Sequence, residues 1–146
     1  MPLYLCSSKS GSIPEDKKQR ISQAITEVHC HVTGAPPTFV HVFFFEADQL
    51  SILQSLWGGG DSDSEYQLFG NIRSGRTDAI KSMLVGGMRQ AVAEVLETEL
   101  SEVTMATKDI EAKWVMEGGD LLPEPGEEEA WLERHNQKMA AANQAV

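Results

Sequence analysis

Residues 2–45 read PLYLCSSKSGSIPEDKKQRISQAITEVHCHVTGAPPTFVHVFFF, and this stretch decides the fold. Leu3 to Cys6 is a short apolar run, long enough for one strand. Ser7 to Ser12 reads as a loop. Pro14, Glu15 and Asp16 suit the first turn of a helix. Proline loses no hydrogen bond there, and carboxylates face the positive end of the dipole. Ile21, Ala24, Ile25, Val28 and Val32 then recur at helical spacing as one apolar stripe. Gly34 stops that helix, and Pro36-Pro37 cannot continue it. Phe39 to Phe45 is aromatic and β-branched and reads as a second strand.

The order repeats downstream. Tyr66 to Ile72 is strand-like, and Arg73-Ser74-Gly75-Arg76 is a loop. Thr77 or Asp78 is a good N-cap. Ile80, Leu84, Met88, Ala91, Val95 and Leu96 form a second helical stripe, and Val103 to Thr107 is a weaker strand. The expectation is an α+β domain over residues 1–146. It has tandem β-α-β units at about 2–46 and 66–108 and a C-terminal segment over 109–146. Right-handed crossovers make the strands within each unit parallel and put both helices on one face of a mixed sheet. The other face is bare. The run Phe43-Phe44-Phe45 is costly to leave wet, so further copies of the chain, closing a ring, are expected to cover it.

Residues 55–65 hold Gly58-Gly59-Gly60, Asp61, Asp63 and Glu65. The acids repel phosphate and no GK[ST] follows, so a phosphate cradle is not expected. EF-hand spacing also breaks, which leaves a solvated loop. Leu121-Leu122-Pro123-Glu124-Pro125-Gly126 opens the tail. Glu127, Glu128 and Glu129 then start a helix in the favoured electrostatic order. Trp131, Leu132, His135 and Met139 give it an apolar edge, and Ala140 to Val146 is expected to fray.

The formal net charge of −10 argues against broad binding to nucleic acid or anionic membranes. No stretch is apolar for the ~18 residues that a membrane span requires. A basic-then-apolar signal pattern is lacking, so a cytoplasmic location is expected. Cys6 and Cys30 have no CxxC spacing and read as two buried thiols.

Chemistry can enter first at Pro2. Met is normally removed before a small side chain, which would leave proline's secondary amine at the terminus. An α-amino group ionises at roughly 8, near enough to neutrality to serve as general acid or base. Arg73 and Arg76 flank Ser74-Gly75 between a strand and a helix N-terminus, where two guanidinium forks can hold a carboxylate. His29 sits beside the first apolar stripe. Zinc through His29, Cys30 and His31 would require that helix to be broken, because residues two apart point roughly 200° apart. No metal or cofactor is therefore expected. His41 lies among aromatics and reads as packing. Glu117, in Val115-Met116-Glu117-Gly118-Gly119, stands at an apolar-to-glycine junction where a carboxylate can meet a pocket.

Together these residues resemble the tautomerase superfamily. Pro2 before an apolar strand, Ile25-Thr26-Glu27-Val28-His29 and Thr33-Gly34 carry that likeness. Within it, Arg73-Ser74-Gly75-Arg76, Val115 to Gly119, Leu122 to Gly126 and Trp131 resemble the branch of cis-3-chloroacrylic acid dehalogenase. The resemblance covers nearly the whole chain. It implies a trimer, a catalytic N-terminal Pro2, a substrate carboxylate bound by His29, Arg73 and Arg76, and Glu117 as the acid that activates water. In that dehalogenase, water adds to C3 of a 3-haloacrylate, the proline protonates C2, and halide leaves to give malonate semialdehyde. The sequence departs from the branch at Ala106, where the dehalogenase has a tyrosine assisting the glutamate. Thr104 and Thr107 are the nearby hydroxyls. Hydration, decarboxylation or keto–enol tautomerisation of a small unsaturated or 2-oxo acid remain the alternatives within the family. A non-catalytic oligomeric binding protein that keeps the fold is the alternative outside it.

Overall fold

A computed structural model of the chain describes residues 2–48 and 64–145. Met1 and most of the Gly58–Glu65 segment lie outside the described residues. Strand β1 (Leu3–Lys9), helix α1 (Glu15–Thr33) and strand β2 (His41–Ala47) form the first unit. Strand β3 (Tyr66–Arg73), helix α2 (Asp78–Leu96) and strand β4 (Val103–Ile110) form the second. A short hairpin, β5 (Met116–Glu117) and β6 (Asp120–Leu121), precedes helix α3 (Glu128–Gln144).

The four long strands make one sheet in the order β2-β1-β3-β4. Pairing is parallel within each unit and antiparallel where β1 meets β3. The expected tandem arrangement is therefore present, with the two units joined back to back. Alternation along each strand assigns the faces. Tyr4, Cys6, Leu68 and Ile72 are buried with Ile21 and Ile25 of α1 and Leu84, Met88 and Val92 of α2 in the main core. Leu3, Leu5, Phe43, Phe45, Phe69 and Asn71 line an open, largely apolar cleft of about 520 Å³ on the other face. Phe43 remains 57% exposed, so the uncovered face read from the sequence is present in the single chain.

The helix ends follow the residues that mark them. Thr77 caps α2 by accepting a hydrogen bond from the Ile80 N–H. Gly34 closes α1 with φ of 73°, a left-handed conformation that glycine adopts without penalty.

Several boundaries differ from expectation. Strand β1 continues through Ser7, Ser8 and Lys9, read as loop, because parallel pairing with Phe45–Ala47 satisfies their backbone. Strand β2 starts only at His41, since Pro37–Phe39 form a 3-10 turn. Strand β4 reaches Ile110 by pairing with Arg73, which is itself the last residue of β3 rather than part of a loop. Helix α3 runs to Gln144, through the stretch expected to fray, because Ala140, Ala141 and Ala142 are strong helix formers. Cys6 is buried as expected, whereas Cys30 is only half-buried. Among the described residues no helix is long and apolar enough to cross a membrane.

A second, smaller core holds the C-terminal segment in place. Phe39, Ala112, Leu122 and Trp131 form it. The Phe39 and Trp131 rings lie 5.3 Å apart, and Trp131 Nε1–H donates to the Leu121 carbonyl at 2.7 Å. Hairpin and α3 are thereby packed beside the ends of β1, β2 and β3, where the candidate residues gather.

Candidate active site

Helix α1 brings His29 into the site by simple periodicity. Ile21, Ile25 and His29 are four residues apart, and all three are fully buried. His31, two residues on, is exposed and α1 is unbroken, so the geometry that a His29–His31 zinc pair requires is absent. Facing His29 from β1 is Tyr4, whose Oη lies 2.7 Å from Nδ1. Burial pushes the Tyr4 hydroxyl up from its ordinary value, so it remains protonated and donates. Burial, with the positive charges of Arg76 and Arg73, lowers His29 to about 3. The ring is therefore neutral at working pH. With Nδ1 accepting from Tyr4, the proton resides on Nε2. That atom is buried and has no hydrogen-bond partner among the described residues. His29 thus offers one unused N–H donor inside the protein.

Gly70 makes the Tyr4–His29 contact possible. A Cβ at position 70 would lie 2.6 Å from the Tyr4 ring, and Tyr4 is fully buried with no room to retreat. Gly70→Ala is expected to cost about 1–3 kcal/mol by overpacking and to displace the Tyr4 hydroxyl from His29. Denaturant unfolding measures the first effect, and a ring chemical-shift change at His29 reports the second.

The two arginines have different surroundings. Arg73, at the end of β3, is 2% exposed. One terminal nitrogen donates to the Pro123 carbonyl at 2.7 Å, and the other bonds the carboxylate of Glu128 at the start of α3. Its guanidinium also lies 5.6 Å from the centre of the Phe39 ring. Arg73 is thus engaged inside the chain, and its Nε is buried without a partner. Arg76 is half-buried, and its Nε is likewise unpartnered among the described residues. Burial first, and then the Arg73 charge, push Arg76 down from the ordinary arginine value, though an arginine remains a cation. Glu128 offsets one of the two positive charges. One cationic charge is left beside a neutral histidine donor, which suits a single carboxylate.

Glu117 and Pro2 meet through a residue read from the sequence as packing. The His41 N–H donates to the Pro2 carbonyl at 3.0 Å, while its Nε2 lies 3.0 Å from Glu117 Oε1. Pro2 itself is buried at the head of β1. Glu117, Phe39, Trp131 and His135 line a cleft of about 630 Å³. The Thr104 hydroxyl, near the start of β4, contacts that of Ser64.

His41, Glu128 and Tyr4 are the functional candidates missed in the sequence. A signal existed for each. Parallel units that start level place the head of β2 beside the N-terminus. Paired arginines in an acidic chain call for an internal carboxylate. Tyr4 shares the strand face of Cys6.

Because the folded His29 ring protonates only near 3 and an unfolded one near 6.5, the unfolded chain binds more protons in that window. The stability contributed by the neutral ring is full above 6.5 and is lost as pH falls toward 3. Thermal melts should show a steeper acid decline for the native chain than for His29→Gln. Equal slopes would mean that the buried ring protonates without penalty.

The family described as "Putative oxalocrotonate tautomerase enzyme" matches residues 1–137. A crystal structure of N1, a member of the cis-3-chloroacrylic acid dehalogenase family, is 28% identical, with a TM-score of 0.81 and 99% of each chain covered. The resemblance to that branch read from the sequence is borne out by this full-length likeness. A native fused 4-OT is 23% identical with a TM-score of 0.68, covering 82% of this chain and 94% of its own. A fused 4-OT solved as an asymmetric trimer is 22% identical with a TM-score of 0.67 over the same shares. These two show the fold alone. No curated protein matches the chain.

Proposed function

The chain belongs to the Tautomerase_3 family, and from that premise we propose that it is an enzyme whose Pro2 acts as general acid or base on a small unsaturated or 2-oxo carboxylic acid. The observation that carries this reading is the pairing of a buried, unused His29 Nε2–H with the Arg76 guanidinium in an otherwise acidic protein. The two together fit a substrate carboxylate. Arg73, offset by Glu128, shapes the site rather than offering a free fork. Once Met1 is released, Pro2 is a secondary ammonium.

In water addition, a water oxygen bonds to C3 of the unsaturated acid while Glu117 takes its proton. The electron pair of the double bond moves toward the carboxylate, where the arginine charge stabilises the developing enediolate. Pro2 then delivers its proton to C2. With a 3-haloacrylate, the resulting halohydrin expels hydrogen halide and leaves malonate semialdehyde. In tautomerisation, Pro2 moves a proton between oxygen and carbon, and Glu117 has no water to activate. Proton donor and acceptor are separate groups, which lets each hold its own ionisation state.

The exposed Phe43 and Phe45 face supports a homotrimer, as in the fused 4-OT trimer.

The test is turnover of cis-3-chloroacrylate and phenylenolpyruvate by protein freed of Met1, compared with Arg76→Ala. Losing one charged hydrogen bond to the substrate carboxylate should raise KM about 10- to 100-fold. An unchanged KM would remove Arg76 from the site, and absence of turnover on both acids would contradict the reading.

A further inference from the structure

Glu117 stands on a hairpin with only two residues in each strand. Such a hairpin is marginal alone and does not fix a side chain. A base that takes a proton from water must nevertheless be held in a defined direction. In this chain Ala106 on β4 has no polar group to offer.

The carboxylate is held instead from β2. The parallel register pairs Leu3 with His41 and so places His41 level with the head of β1. From there its backbone N–H bonds the Pro2 carbonyl and its ring Nε2 reaches Glu117 Oε1, each at 3.0 Å. One residue thereby bonds both the Pro2 backbone and the Glu117 carboxylate. The neighbouring titratable groups are engaged with each other: Asp120, register partner of Glu117, takes His135 Nδ1 at 3.2 Å and also Lys138. The His41 and Glu117 side chains are 40% and 34% exposed, so their contact adds little to stability and its value lies in direction.

We propose that His41 is a positioning residue, whose Nε2–H holds Oε1 of Glu117 and fixes the carboxylate at the cleft that Glu117 shares with Phe39, Trp131 and His135. This rests on the reading of Glu117 as the base that activates water. The contact requires the His41 proton on Nε2, because a carboxylate only accepts.

Steady-state hydration of cis-3-chloroacrylate by native protein, His41→Leu, His41→Gln and Glu117→Gln tests this, together with long-range 1H–15N spectra of the His41 ring in native protein and Glu117→Ala. His41→Leu should lower kcat about 10- to 100-fold with KM little changed, the scale seen when a partner that orients a reacting group is lost. His41→Gln keeps a side-chain N–H and should recover much of it. The ring should show the Nε2-protonated form and should shift in Glu117→Ala. Native kcat in His41→Leu beside an inactive Glu117→Gln overturns the positioning role. A His41 ring signal indifferent to Glu117→Ala overturns the contact. Full activity in Glu117→Gln is a different failure: it removes the base itself, and the role assigned to His41 falls with it.

Discussion

Pro2→Ala is expected to lower turnover about 10²–10⁴-fold on every substrate that the protein accepts, the range that one positioned proton-transfer group supplies. The variant should retain its fold. Pro2 contributes no strand ladder donor, and the bond from the His41 N–H runs to the carbonyl of residue 2, which alanine keeps. An alanine terminus still carries an amine, but a primary one on a freely rotating chain. Its geometry is looser, so residual activity is expected rather than none. Unfolding midpoints for the variant and native chain separate the chemical effect from a folding defect. Native turnover in Pro2→Ala would remove the amine from the mechanism.

The second large effect concerns Glu117. Glu117→Gln keeps the shape and still accepts a hydrogen bond from His41, but it cannot take a proton from water. Hydration of a 3-haloacrylate should fall about 10²–10⁴-fold. Tautomerisation of phenylenolpyruvate should largely survive, because that reaction moves a proton through Pro2 and uses no water. Rates on both acids with one preparation separate the two roles. Equal loss of both activities would mean that Glu117 supports the site as a whole, and equal survival would mean that it supports neither reaction.

The tandem units were legible because local signals agreed. The stripe from Ile21 to Val32, the Gly34 stop and the Thr77 cap all carry direct physical meaning, and each is found in place. Strand ends were less legible. Ser7 to Lys9 look like loop residues, and only the ladder to Phe45–Ala47 makes them a strand. The candidate site divides in the same way. Pro2, Arg73, Arg76 and Glu117 are candidates by residue type and position, and His29 joins them through the family resemblance. Their partners do not, because partnership is set by packing between distant elements. Glu128 looks like one of three helix-opening acids, yet α3 docking through Trp131 presses it against Arg73. His41 looks like one more residue in an aromatic strand, yet its ring bonds Glu117 of the hairpin. Arg73 and Arg76 look equivalent in sequence, but the C-terminal segment engages Arg73, while the Arg76 Nε has no hydrogen-bond partner among the described residues.

The electrostatic arrangement gives the account its coherence. A neutral His29, a charged Arg76 and a compensated Arg73 favour one anionic ligand group. Under the proposed function, binding that group near Pro2 would place an ammonium beside a double bond polarised by the arginine charge. Pro2 can act only if its nitrogen is an amine.

The measurement that tests this most directly is a 15N NMR titration of Pro2 in native protein made from its own start codon. The expected result is a secondary-amine nitrogen that titrates at roughly 8, as an α-amino group does. A Pro2 nitrogen with amide chemical shift and no titration would contradict it, because a tertiary amide has no basic lone pair to give or take a proton.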